Sequence, residues 1–184
     1  MSNLTRAGRA TAAATLLSLL ALVSTPVAAG GVVAATTGGG VYQLLGTLPT
    51  DFEFSAIHLR NGKVVGSFHQ RVVFQGLLVE FTGAVTCVTM DAENHRAWVG
   101  GVVTSNTSQH PSFLQPRHGV GRDVWFRVVD YGEGAAAPAD RLTFLGFEND
   151  AGFITSAEYC AGQPWPADDD RTWPVSRGNL QVHD

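Results

Sequence analysis

Two cysteines, six histidines and a set of carboxylates around a glycine-rich turn are the side chains in this sequence with chemistry to offer. Asp130, Glu133 and Asp140 bracket the turn that contains Gly132 and Gly134, and Glu148-Asn149-Asp150 follows the next apolar run. Carboxylates and carbonyls gathered at sheet ends suit a hard cation, so calcium is the metal this pattern would take, although the spacing is not that of an EF-hand loop. The other reading is that these acids initiate turns by bonding their own backbone. His110 and His118 share one long loop with Asp123 nearby, and His58 and His69 flank an Asn-Gly turn across which they could face each other. None has the helical H-x-x-x-H spacing or Cys-His clustering of a zinc site. There is no G-x-S-x-G elbow and no local signature of a catalytic cysteine. Four tryptophans, Trp98, Trp125, Trp165 and Trp173, could line the mouth of a ligand site or pack as structural aromatics.

The chain that must position these groups begins with a basic start at Arg6 and Arg9, an apolar run from about Ala10 to Val23, and small residues at Pro26-Val27-Ala28-Ala29. That order is the one a secretory signal requires, with cleavage after Ala29, or alternatively Ala35. A membrane anchor would need ~20 apolar residues, which this run does not reach. Removal of 1–29 leaves about 150 residues, room for one domain and its core. A flexible lead-in is expected over 30–40, where Gly, Ala, Val and Thr dominate, and a single β domain over 41–184. The formal net charge of −4 and the scattered arginines provide no electrostatic footprint for nucleic acid. Beyond an export signal, an oxidising compartment pairs Cys87 with Cys160, closing a loop worth ~4 kcal/mol in the chain-entropy model. Two buried free thiols are the alternative.

Period-two alternation decides the fold class. The stretch 79–103 holds two β-rich arms around the polar turn Asp91-Ala92-Glu93-Asn94-His95, with Val79, Phe81, Val85 and Cys87 on one face of the first arm. Asn61-Gly62 supplies the positive φ angles of a tight hairpin between two further runs. Val124, Phe126 and Val128 alternate in the same way. A loop from Ser105 to Gly119 is longer than most connections, Phe153 to Cys160 reads as a strand or a helical turn, and 178–183 as a closing strand. No amphipathic helix stands out after the leader. The expectation is an all-β fold, a single antiparallel barrel or sandwich of about seven or eight strands joined by sequential hairpins.

The segments Phe52-Glu53-Phe54-Ser55-Ala56, Val85-Thr86-Cys87-Val88, Ala97-Trp98-Val99-Gly100-Gly101, Val124-Trp125-Phe126-Arg127-Val128-Val129-Asp130, Gly132-Glu133-Gly134 and Gly178-Asn179 together resemble a recurrent domain of exported bacterial proteins with no assigned activity. The resemblance implies export and a compact β fold and supplies no chemistry. At the level of fold alone the chain is similar to calycin and allene-oxide-cyclase-like barrels, and fold analogy does not license a function. The expectation is therefore a secreted, non-catalytic binding module or extracellular structural unit. The alternative is a small cyclase- or hydrolase-like barrel enzyme acting on a small apolar substrate. An eight-stranded barrel either fills its interior with side chains or holds one small apolar ligand there.

Overall fold

Nine strands and one short helix account for the regular structure in the computed structural model, which describes residues 31–134, 136–167 and 171–183. The leader expected at 1–29 and the aspartates 168–170 lie outside them. The strands are β1 (Val32–Leu44), β2 (Leu48–Leu59), β3 (Val64–Phe74), β4 (Leu77–Asp91), β5 (Arg96–Asn106), β6 (Asp123–Val129), β7 (Arg141–Leu142), β8 (Gly146–Phe147) and β9 (Trp173–His183). Every pairing is antiparallel, in the order β5-β4-β3-β2-β1-β9-β7-β6, and β6 pairs back onto β5 to close the ring. Closure removes the free edges that an open sheet would present.

The strand count exceeds the expected seven or eight because one stave of the barrel is broken. β7 and β8 both lie against β6, at Val128↔Leu142 and Trp125↔Gly146, with one extra residue on their side. At the break Thr143 N donates to Arg127 O, while Arg127 N donates to the hydroxyl of Thr143 instead of to a carbonyl. A side chain thus takes over one rung of the ladder.

Residues 32–40, expected to be a flexible lead-in, form the first half of β1 and pair with β2 on one side and β9 on the other. Their small size is a packing requirement. A Cβ on Gly38 would come within 2.4 Å of the Leu180 side chain and 2.8 Å of the Phe54 ring, so only glycine lets the core reach that far across the barrel.

Aromatic side chains fill the interior. Phe54 and Phe68 each meet Phe126 edge-on, at 5.1 and 6.0 Å between ring centres, and Phe81 lies 5.1 Å from Phe147. Tyr42 is buried among them and donates its hydroxyl to Gln70 Oε1 at 3.0 Å, and burial pushes its pKa up, so it stays a neutral donor. Val79, Phe81 and Val85 point inward as the alternation predicts, but Cys87 does not. Val85 pairs with Gly101 and Cys87 with Gly100, so the extra residue Thr86 forms a bulge that reverses the parity of the strand. Beyond it Val88 and Met90 face the core, and Cys87 faces outward.

What Cys87 meets outside is the helix α1 (Ser156–Gly162), joined to it by the Cys87–Cys160 disulfide. Gly100 leaves the space for this approach, since a Cβ there would lie 2.6 Å from Cys87 Sγ and 2.8 Å from Ser156 Cβ. The helix begins with a capping box: Thr155 Oγ1 accepts from Glu158 N, and Glu158 Oε2 accepts from Thr155 N. With Trp98, Trp125 and Tyr159 it forms a second, smaller apolar cluster on the outer face of β5 and β6.

Candidate ligand cleft at the broken stave

The break between β7 and β8 leaves a gap in the ring. β9 pairs with β7 at Arg141↔Pro174 and Leu142↔Trp173 and with no residue of β8. Among the described residues, no backbone hydrogen bond engages the N–H or C=O of Phe144 or Leu145. Backbone polar groups need partners, and here they border a cleft of about 420 Å³.

Three pieces of chain build the walls. Outward alternation on β6 places Trp125 and Arg127 beneath the cleft, both buried. The helix brings Tyr159, whose ring stacks on Trp125 at 5.6 Å and 18°. Asp123 fixes the helix start by accepting from Ser156 N at 2.8 Å and Ser156 Oγ at 2.6 Å. The segment after the helix is held down by two donors from the sheet: Trp98 Nε1 donates to Pro164 O at 2.9 Å, and Arg127 Nη1 donates to Trp165 O. Trp165 and Trp173 then stand half-buried along the cleft. Arg141 anchors the approach to β9, donating from Nε to Thr172 Oγ1 and from Nη2 to Thr172 O.

Few groups with titratable protons face this space. Both oxygens of Asp150 are engaged, Oδ1 by Arg117 Nη1 at 3.1 Å and Oδ2 by Phe147 N at 2.9 Å. Burial pushes the Tyr159 phenol up, against the lowering influence of Arg127, so it stays protonated. Arg171 is exposed, with its guanidinium carbon 4.2 Å above the centre of the Trp165 ring. The cleft offers stacking surfaces and hydrogen-bonding backbone.

The acids considered for calcium do a different job. Asp130 Oδ1 accepts from Gly132 N and Oδ2 from Val182 N, at 2.7 and 3.0 Å. Asp140 Oδ1 accepts from Tyr131 N and Oδ2 from Leu180 N, at 3.0 and 2.9 Å. Glu133 Oε1 accepts from Asn179 Nδ2. The two aspartates stand in for strand carbonyls where β9 runs past the end of β7, and so they close the ring. Burial raises the pKa of Asp140, reinforced by the nearby Asp130 and Glu133 charges and opposed by its two backbone donors. Among the described residues no group of three or more His, Cys, Asp or Glu is placed to hold a metal ion.

The histidines are dispersed. His58 pairs in register with Val64 and His69 with Glu53, so they do not face each other across the hairpin. His69 Nε2 lies 3.0 Å from Glu80 Oε1. His110 and His118 sit in two 3-10 turns that fold the long loop over one end of the barrel. There His118 is buried 4.5 Å from the Phe147 ring, and burial, more than the neighbouring Arg117, lowers its pKa. Phe113 from the same loop helps to wall an apolar pocket of about 260 Å³ at that end.

Of the four tryptophans, Trp125, Trp165 and Trp173 line the cleft, and Trp98 is fully buried under Pro164. Tyr159, Phe144 and Arg171 escape a reading of the sequence. A signal for Tyr159 was present in Thr155-Ser156-Ala157-Glu158, whose T-x-x-E spacing marks a helix start. Comparison of the chain with protein-family models, with curated proteins and with solved structures returned no match.

Proposed function

We propose that this chain is an exported, non-catalytic binding module of bacterial origin, similar to the recurrent exported β domains its motifs resemble, and that it holds a small ligand in the cleft at the broken stave. The observation that carries the reading is the convergence of half-buried Trp165 and Trp173 on a strand edge whose Phe144 and Leu145 backbone groups have no partner among the described residues. Open aromatic walls with a few polar groups are the usual make-up of a ligand site. The barrel interior is occupied by its own phenylalanines, which favours a ligand site on the outside.

Export is supported by the Cys87–Cys160 disulfide, a bond that persists in oxidising compartments. No helix among the described residues is long and apolar enough to cross a membrane. Native mass spectrometry of the protein collected from its producing cells tests the reading. The expected result is a retained small molecule, lost in Trp173→Ala. A bare mass in the wild type, together with no change in tryptophan emission on exposure to concentrated culture medium, would overturn it.

A further inference from the structure

Phe144 and Trp173 line both the cleft and the apolar pocket at the barrel end, so the two spaces adjoin at these side chains as the two ends of a groove. The remaining walls of the pocket are Leu44, Leu45, Val72, Phe74 and Phe113, without a polar side chain among them. Buried Leu44 and Val72 make its floor, and Leu45, 62% exposed at the turn between β1 and β2, makes its rim. A space so lined gains from an apolar occupant that displaces water from its walls.

At the other end of the groove the character is polar. Asp150 is neutralised by Arg117 and a backbone N–H, and the Tyr159 phenol is uncharged. Arg171 rests on Trp165, and among the described residues no carboxylate pairs with it. Among the described residues the charge facing this end of the cleft is therefore positive.

We infer that the groove binds a single-chain acidic amphiphile, its tail running between Phe144 and Trp173 into the apolar pocket and its anionic head lying against Arg171 and the open strand edge. This inference rests on the reading of the cleft as a ligand site and names the chemistry of its ligand. A carboxylate or a phosphate head would serve, since both accept from a guanidinium. The polar groove mouth orients the molecule, and the tail supplies most of the affinity.

Tryptophan emission of the full chain, titrated with n-alkyl carboxylates from hexanoate to tetradecanoate below their micellar concentrations, tests it. Burial of each methylene is worth about a fourfold gain in affinity. The dissociation constant should fall by about that factor per carbon until the pocket is full, and then stop falling. Arg171→Gln, at an exposed position, should weaken the carboxylates about fivefold or more and the matching n-alkanols hardly at all. Leu45→Ser, on an exposed turn, should weaken only the chains long enough to reach the rim. Alkyl phosphates in place of carboxylates should keep the chain-length dependence and show which head is preferred.

Affinity independent of chain length, affinity that climbs without a plateau, or a preference for alkyl trimethylammonium heads would each overturn the inference. A retained molecule that is not an amphiphile, with no alkyl chain bound, would overturn it and leave the cleft reading intact. No retained molecule and no alkyl binding would remove both.

Discussion

Cys87 on β4 is bonded to Cys160 on α1 from the outer face of the barrel, with their Cα atoms 6.3 Å apart, because the bulge at Thr86 turns the cysteine away from the core. The disulfide therefore ties an appendage to a closed ring and does not knit the ring itself. Reduction should cost up to about 4 kcal/mol of stability. It should also raise amide exchange in α1 and at Trp165 while the β2–β3 ladder stays protected. Simultaneous loss of protection in α1 and the β2–β3 ladder, followed by hydrogen-exchange mass spectrometry, would count against a separable appendage.

Deletion of Thr86 restores strict alternation to β4. The pairs on either side of Thr86, Val85↔Gly101 and Cys87↔Gly100, keep their register, so Cys87 should still face outward and Val88 and Met90 should still face the core. The expected outcome is an intact Cys87–Cys160 disulfide, with no thiol that reacts with iodoacetamide before reduction. Two reactive thiols in the deletion variant would contradict this account of the bulge.

Asp140 occupies the closure of the ring. In Asp140→Asn an amide nitrogen must oppose either Tyr131 N or Leu180 N, leaving a donor without an acceptor, which costs about 1–3 kcal/mol. The pH dependence has a definite sign. Burial raises the folded-state pKa above the ordinary 3.8, so between those two values the folded chain holds more protons than the unfolded one. Stability from this group is present below that window and is lost as pH rises through it. Subtracting the melting profile of Asp140→Asn from that of the wild type should isolate this trend, and a difference with the opposite slope would refute it.

His118 acts in the opposite sense. Its folded-state pKa lies below the ordinary 6.5, so as pH falls through 6.5 the unfolded chain takes up a proton that the folded one refuses. Stability should decline from there down to the folded-state value. In His118→Phe, which keeps a ring beside Phe81 and Phe147, the decline between neutral and mildly acidic pH should be smaller. Equal slopes in the two proteins, read from melting temperatures, would rule the residue out as the source.

The barrel was legible where one rule governed a whole strand. Val79, Phe81 and Val85 in β4 and Val124, Phe126 and Val128 in β6 point inward as their alternation demands, and Asn61-Gly62 makes the turn between β2 and β3. The expectation of export led to the Cys87–Cys160 pair, and the structure contains that disulfide. The misreadings share a physical cause, which is that long-range packing overrode a local signal. Gly38 looks like a flexible linker until Leu180 and Phe54 are seen to occupy its missing side chain. Thr86 looks like an outward strand residue, and nothing local reveals that it is one residue too many. Asp130 and Asp140 look like metal ligands or turn formers, whereas two of the donors they satisfy lie forty or more residues away, at Val182 and Leu180. The cleft was invisible for the same reason: its walls come from β6, the β7–β8 break, α1 and the approach to β9.

Around most of its circumference the barrel is held by long ladders, but between β7 and β9 the pairing covers Arg141 and Leu142, extended by Val175 N donating to Asp140 O. Beyond that the carboxylates of Asp140 and Asp130 accept from Leu180 N and Val182 N. The easiest excursion from the folded state is thus a parting of the hoop at that joint, with far less free energy needed there than to unravel β2 from β3. A molecule lodged between Phe144 and Trp173 spans the same joint. Occupancy would therefore act as a latch, raising the melting temperature by mass action and slowing the parting that lets the occupant in and out.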